Sequence, residues 1–186
     1  LARIQGKHIG VVSSQSMPST SVRPPDPAVP ESQRIERLQP PNVLTASSAA
    51  KAAYGLESFR SQSLPVLVLA NCRGFAGGTS EMFERVLATG AAIVETLTQP
   101  GPPVYVYIPP KAQLRGGAFV VFSPSINPER ITLIADPSAS AGILEPPAQA
   151  GFLWKKKTGQ RKNPIGEALA RCQDRAHRML KHGIAS

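Results

Sequence analysis

Cysteine is nearly missing from this chain: Cys72 and Cys172 are the only two in 186 residues. They stand far apart, so they make neither a disulfide framework nor the paired spacing of a thiolate metal site. Such usage fits a reducing compartment. Histidine is almost as sparse, with His8, His177 and His182 scattered along the chain. The spacing of His177 and His182 does not put both on one helix face. The clustered ligands of a metal centre are lacking, and no metal site is expected. Long apolar runs are missing too. The longest, Val66–Ala70, falls far short of the ~20 residues needed to cross a bilayer. The start lacks the continuous apolar stretch of a secretory signal. A soluble chain without a membrane span is therefore expected. Because its first residue is Leu1 and leads directly into a strand-like segment, the chain is expected to be a piece of a longer one. Repeats at solenoid spacing are not evident.

Positive charge is abundant but unevenly placed. The formal net charge is +9, and residues 151–186 hold +7 of it, from nine Lys/Arg against Glu167 and Asp174. The body is left nearly neutral. A basic chain raises the question of nucleic-acid binding, yet this excess belongs to a tail without interleaved aromatics, and no nucleic-acid partner is expected. Two units follow: a folded body over residues 1–150 and a basic, partly helical tail over residues 151–186. Length suits one domain with a real core.

Prolines number 19 and cluster in Met17–Pro41 and Pro100–Pro110. Ala2–Ile4 and His8–Val12 read as short strands around a Gly6 turn. Ser13–Pro41 reads as a long surface excursion with little regular structure. Asn42–Arg60 reads as a helix, because Ala46, Ala49, Ala50, Ala53, Leu56 and Phe59 form an apolar stripe. Leu64–Ala70 and Val104–Ile108 read as buried strands. Thr79 or Ser80 can cap one long helix carrying Met82, Phe83, Val86, Leu87, Ile93, Val94 and Leu97 on a single side. Ala118–Phe122 fits helix or strand equally. Arg130–Ala135 reads as a strand, Ala139–Leu144 as the start of a short helix, and Ile165–His182 as an amphipathic helix. Strands alternating with helices indicate an α/β fold with both sheet faces covered. In such folds the loops at strand ends carry ligands.

Two glycine-rich loops leave buried strands. The first, Asn71–Gly78, leads into a helix, where glycines permit close approach to free backbone N–H groups. It has neither the Lys-Ser/Thr of a Walker loop nor the spacing of a dinucleotide fingerprint. It fits a bare strand-to-helix turn equally well. The second, Leu114–Ala118, can aim two adjacent N–H groups at one oxygen, as an oxyanion hole does. Arg115 beside it can fix a carboxylate. A glycine turn with a surface arginine is the plainer alternative. Arg73 and Arg115 are the positive charges flanking these glycines.

Taken together the segments resemble a known family. Pro65-Val-Leu-Val-Leu-Ala-Asn-Cys-Arg-Gly-Phe-Ala-Gly-Gly78 is similar to the stretch around Asn-Trp-Arg-Gly-Phe-Ser-Gly-Gly in eukaryotic-type multidomain acetyl-CoA carboxylases. Tyr107-Ile-Pro-Pro-Lys-Ala-Gln-Leu-Arg-Gly-Gly117 is similar to their Tyr-Ile-Pro-Pro and Leu-Arg-Gly-Gly segment. Ser125-Ile-Asn-Pro128, Ile143-Leu-Glu-Pro146 and Pro25-Asp-Pro-Ala-Val-Pro30 match in order and spacing. The resemblance runs from about Leu1 to Pro146 and points to the C-terminal half of the carboxyltransferase domain.

The resemblance implies a crotonase-like (ClpP/crotonase) α/β fold, a spiral of ββα units. It implies transfer of a carboxyl group from carboxybiotin to acetyl-CoA, giving malonyl-CoA for fatty acid biosynthesis. Biotin would be carried covalently on another domain, and ATP would be used by a separate biotin carboxylase domain. The implied partners are acetyl-CoA and malonyl-CoA, the biotin carrier domain, the N-terminal carboxyltransferase half, and a second copy in a homodimer of the full enzyme. The implied location is the cytoplasm, or a plastid where an upstream targeting peptide exists. With biotin itself as the base, the protein supplies positioning and oxyanion stabilisation. By this resemblance Gly117 and Ala118 would hold the ureido oxygen through their N–H groups, and Arg115 would hold the transferring carboxyl group. Gly116 belongs to the same loop, and Arg73, Gly74, Gly77 and Gly78 would shape the cleft.

The chain departs from the family at several places. Cys72 replaces a Trp, Ala118-Phe119 replace Ser-Trp, Ser140 stands where Arg is usual, and Pro147-Ala148 replace an acidic-glycine pair. Beyond Gly151 the motifs fade. The alternatives are therefore a catalytically incomplete fragment or interaction module that keeps the fold, a propionyl-CoA-type carboxylase, and nucleic-acid binding through the tail.

Overall fold

The computed structural model describes residues 1–143. The chain opens with β1 (Ala2–Ile4) and β2 (Lys7–Ser13), antiparallel about a tight turn. Gln5 and Gly6 both take positive φ there, which suits Gly6. A hairpin of β3 (Ser19–Arg23) and β4 (Ile35–Gln39) follows. The remaining elements are α1 (Ala46–Ser61), β5 (Val66–Leu69), α2 (Thr79–Phe83), α3 (Val86–Thr98), β6 (Val104–Ile108), β7 (Gln113–Arg115), α4 (Gly116–Val121), β8 (Ile131–Ala135) and β9 (Ser140–Gly142).

The main sheet has the order β1-β2-β5-β6-β8, and β2, β5, β6 and β8 run parallel. Val66, Val68, Val104, Val106, Ile108 and Ile131 are buried in it, against Leu56 of α1 and Ile93 and Leu97 of α3. Each such side chain taken from water contributes about 1.5–3 kcal/mol. A second, smaller layer pairs β7 with β9 in parallel, and Cys72 bridges to Leu114 of β7. Thus each of β5, β6 and β8 is followed by a short extended piece in the second layer: Cys72, β7 and β9. Helices follow the first two. This is a ββα repeat wound as a spiral, and connections of unequal length hide it from a search for fixed spacing.

Local chemistry explains the helix ends. Thr45 opens α1 with a capping box: its hydroxyl accepts from Ser48 N–H at 3.2 Å and its own N–H donates to Ser48 Oγ at 2.9 Å. Ala46 N–H donates to Glu81 Oε2 at 2.9 Å, so α2 also caps α1. Ala46, Ala49, Ala53 and Leu56 are buried as the stripe predicts, while Ala50 faces solvent. Gly10 of β2 is required by Phe59 of α1, whose ring would lie 2.4 Å from a Cβ at that position. At the far end of α3, buried Arg130 donates to the carbonyls of Thr96, Gln99 and Pro102 at 2.9, 2.7 and 2.8 Å. It closes that helix as a C-terminal cation should.

Several expectations from the sequence are corrected. The Ser13–Pro41 excursion is not irregular, because β3 and β4 pair across it, and Arg23 and Arg37 tie the hairpin to Glu84 at 3.5 and 3.2 Å. The long helix after Gly78 is two helices, broken at Arg85, which adopts left-handed φ 63°. Gly78, not Thr79 or Ser80, sits at its N-cap, without a side-chain cap. Val86, Ile93 and Leu97 are buried, but Met82, Phe83 and Leu87 are exposed, Phe83 by 83%. Ala139–Leu144 does not begin a helix: Ser140–Gly142 pairs with β7 as a strand. Ala118–Phe122 resolves as helix, and the loop before it is already strand at Gln113–Arg115. The helix expected at Ile165–His182, and the tail as a whole, lie outside the described residues.

Candidate functional site

The two glycine loops meet at the ends of β5 and β6. Cys72 N–H donates to the Gln113 carbonyl at 2.6 Å, and Arg115 N–H donates to the Cys72 carbonyl at 2.8 Å. Gln113 N–H donates to Asn71 Oδ1 at 3.2 Å. Backbone hydrogen bonds thus lock the first loop against β7. Gly74 (φ +132°) and Gly116 (φ +56°) take up backbone conformations that side chains resist. They lie against each other: a Cβ on Gly74 would sit 3.6 Å from the Arg115 carbonyl, and one on Gly116 would sit 3.5 Å from the Arg73 carbonyl.

Gly116 starts α4, with Arg115 as its N-cap. The first-turn N–H groups of a helix have no intrahelical acceptor, and the helix dipole leaves partial positive charge there. Gly117 is exposed and the Ala118 side chain is buried. Arg115 Nε donates to Gln113 Oε1 at 2.8 Å, and Arg115 Nη2 donates to Ser140 Oγ at 3.1 Å. Ser140, where the resemblance expects Arg, is therefore a hydrogen-bond partner of Arg115.

Phe75 packs against the second loop. A Cβ on Gly117 would come 2.7 Å from its ring, and one on Gly90 of α3 would come 2.9 Å from it. Phe75 also lines a cavity of about 410 Å³, together with Ala76, Gly77, Arg37, Glu81 and Glu84 among others, and with none of residues 114–118. Arg73 and Gly74 accordingly stand beside the second loop, Gly77 lines the cavity, and Gly78 opens α2. The sequence pattern did not single out Phe75 or Gln113. Gln113 carries one local signal, its position two residues before Arg115 on the same strand face.

No His, Asp or Glu occurs in either loop. Burial pushes the Cys72 thiol above its ordinary pKa, so it stays protonated at neutral pH. Among the described residues no group of three or more His, Cys, Asp or Glu could hold a metal ion. Among them, too, no helix is long and apolar enough to cross a membrane. Backbone donors and an arginine beside a helix N-terminus can hold an oxygen anion or a carboxylate. They supply no base of their own.

A model of the carboxyl transferase domain matches residues 1–183, nearly the whole chain. The chain belongs to the carboxyl transferase domain family. The match continues through the basic tail, further than the motifs reach. The chain is 38% identical to acetyl-CoA carboxylase of Saccharomyces cerevisiae and 37% identical to that of Schizosaccharomyces pombe, each over 84% of its length. It is 36% identical to a mitochondrial acetyl-CoA carboxylase of Saccharomyces cerevisiae strain YJM789. It spans only 7% of the length of these relatives. Among solved structures, a transcarboxylase 12S matches with a TM-score of 0.62 at 15% identity, over 82% of this chain and 30% of that one. The geranyl-CoA carboxylase β subunit of P. aeruginosa matches with a TM-score of 0.57 at 16% identity, over 76% and 28%. At that identity they show the fold alone, and the carboxyl transferase domain has the crotonase-like fold that its motifs imply.

Proposed function

We propose that this carboxyl transferase domain is the C-terminal half of an acetyl-CoA carboxylase's carboxyltransferase, serving transfer of a carboxyl group from carboxybiotin to acetyl-CoA. The observation that carries the reading is the junction of β7 and α4, where Arg115 caps a glycine-opened helix locked to the first loop. Its donor set suits biotin: backbone N–H groups for an anionic oxygen, and a guanidinium for a carboxylate. When bound, carboxybiotin supplies both the carboxyl group and, once that is given up, the base for the acetyl methyl.

In this reading the N–H groups of Gly117 and Ala118 hold the ureido oxygen, and the Arg115 guanidinium orients the transferring carboxyl group. Gly74 and Gly116 allow the two loops to touch, and Arg73 adds positive charge at the rim. Gly77, in the lining of the neighbouring cavity, and Gly78, at the start of α2, shape the cleft. The lack of a loop acid or base is then no defect, because positioning and charge stabilisation are what remain for the protein to do. The acetyl-CoA side of the site would come from the N-terminal carboxyltransferase half, in a homodimer of the full enzyme, with the biotin carrier and the ATP-using biotin carboxylase as further domains. We place the enzyme in the cytoplasm, with a plastid the alternative where a targeting peptide lies upstream.

The test is malonyl-CoA formation from carboxybiotin and acetyl-CoA, with the chain co-expressed with an N-terminal carboxyltransferase half. That half must be shown active with its own native C-terminal half. Malonyl-CoA above the level of either part alone is expected. Its absence would leave the fold without this activity and favour the interaction-module alternative. Propionyl-CoA in parallel measures acyl preference.

A further inference from the structure

We infer that Gln113 and Ser140 are positioning residues that aim the Arg115 guanidinium. The inference rests on the reading of Arg115 given above. The three side chains share one face of the small second sheet. Gln113 and Arg115 are two apart on β7, so they project to the same side, and Ser140 on β9 is the register partner of Gln113. Leu114 between them is fully buried and faces the opposite way.

From that face Gln113 Oε1 accepts from Nε of Arg115 at 2.8 Å, and Ser140 Oγ accepts from Nη2 at 3.1 Å. These acceptors, on different strands and on different nitrogens, restrain both the plane and the rotation of the guanidinium. One acceptor would fix only a point. Both of these acceptors are neutral side chains.

The backbone of Gln113 is itself held. Its carbonyl accepts from Cys72 N–H at 2.6 Å, and its N–H donates to Asn71 Oδ1 at 3.2 Å. Ser140 N–H donates to the Ala112 carbonyl at 3.0 Å. The orientation of Arg115 is therefore referred to both the first glycine loop and strand β9. A side chain held this way retains its reactive geometry, and small misplacement at a transfer site is costly.

The test is a set of double-mutant cycles in the complemented carboxyltransferase, reading kcat and KM for acetyl-CoA separately. Gln113→Leu is expected to lower kcat roughly 10–100-fold, the scale of a misplaced group, with KM nearly unchanged. Ser140→Ala removes a single oxygen, should fold normally, and is expected to lower kcat several-fold, with Ser140→Thr restoring it. In an Arg115→Met background neither change should cause further loss, because each acts through Arg115. If Arg115→Met leaves kcat intact, the role assigned to Arg115 fails and the positioning falls with it. If Arg115→Met is damaging while Gln113→Leu and Ser140→Ala are innocent, or if their losses persist in the Arg115→Met background, only the positioning is overturned.

Discussion

Phe75 is the residue on which the neighbourhood of the site turns. Its ring fills the space that side chains would occupy on Gly117 and Gly90, so both glycines are packing requirements. A methyl group on Gly117 would approach Phe75 Cδ2 to 2.7 Å and must displace either the ring or α4. Gly117→Ala is therefore expected to destabilise by about 1–3 kcal/mol, as overpacking does, and to reduce carboxyl transfer by moving the first turn of α4. Urea denaturation and the transfer assay check the two effects. Adding Phe75→Leu, which removes the crowding ring atoms, should recover part of the stability. If the double variant is no more stable than Gly117→Ala, the ring is not what constrains that glycine. The glycines themselves were legible in the sequence as loops after buried strands. Phe75 was not, because its meaning depends on two glycines distant in sequence. Nor could the pattern show that Ser140 contacts Arg115, since that contact exists only once β9 pairs with β7.

Among the elements, those with a strong apolar period were readable, and those held by tertiary contacts were not. The α1 stripe and the apolar runs of β5 and β6 carry their own burial signal. The break between α2 and α3 has no Gly or Pro to mark it, and it is made by Arg85 in a left-handed conformation. The β3–β4 hairpin buries little, so its residues show no core pattern. Charge fastens it instead: Arg37 bonds both Ser80 and Glu84, and Arg23 reaches Glu84 at 3.5 Å. These side chains are partly solvated, which limits their contribution to roughly 0–1 kcal/mol of global stability. Local opening should respond far more than global unfolding. Glu84→Gln is expected to speed amide hydrogen exchange in residues 19–39 while leaving the thermal midpoint within a few degrees. High salt should reproduce the effect in the unmodified chain by screening the same pairs. Unaltered exchange in the hairpin would mean that β3–β4 pairing alone, and not the tie to Glu84, protects it.

At the scale of the whole molecule, the spiral joins its two sheets through single residues, and Cys72 is one of them. It is 4% exposed, bridges to Leu114 of the second layer and belongs to the same core as Val68 and Ile108. Burial raises its thiol pKa above the ordinary 9.0, the first cause being desolvation, which backbone hydrogen bonding at Gly74 and Leu44 only partly offsets. The folded chain therefore keeps the thiol proton at pH values where the unfolded chain gives it up. Stability attributable to this group is complete below pH 9 and declines as pH rises through the folded pKa. The same burial makes the thiol a reporter. In a Cys172→Ser background, Cys72 should react with an aromatic disulfide reagent only as the chain unfolds. Its reactivity midpoint in urea should coincide with that of far-UV circular dichroism, as one cooperative unit requires. Reaction at lower urea would show that the second sheet, with β7, β9 and the Arg115 site, opens before the main sheet. That outcome would make the site a separate folding unit and relocate its rigidity from the shared core to whatever binds it.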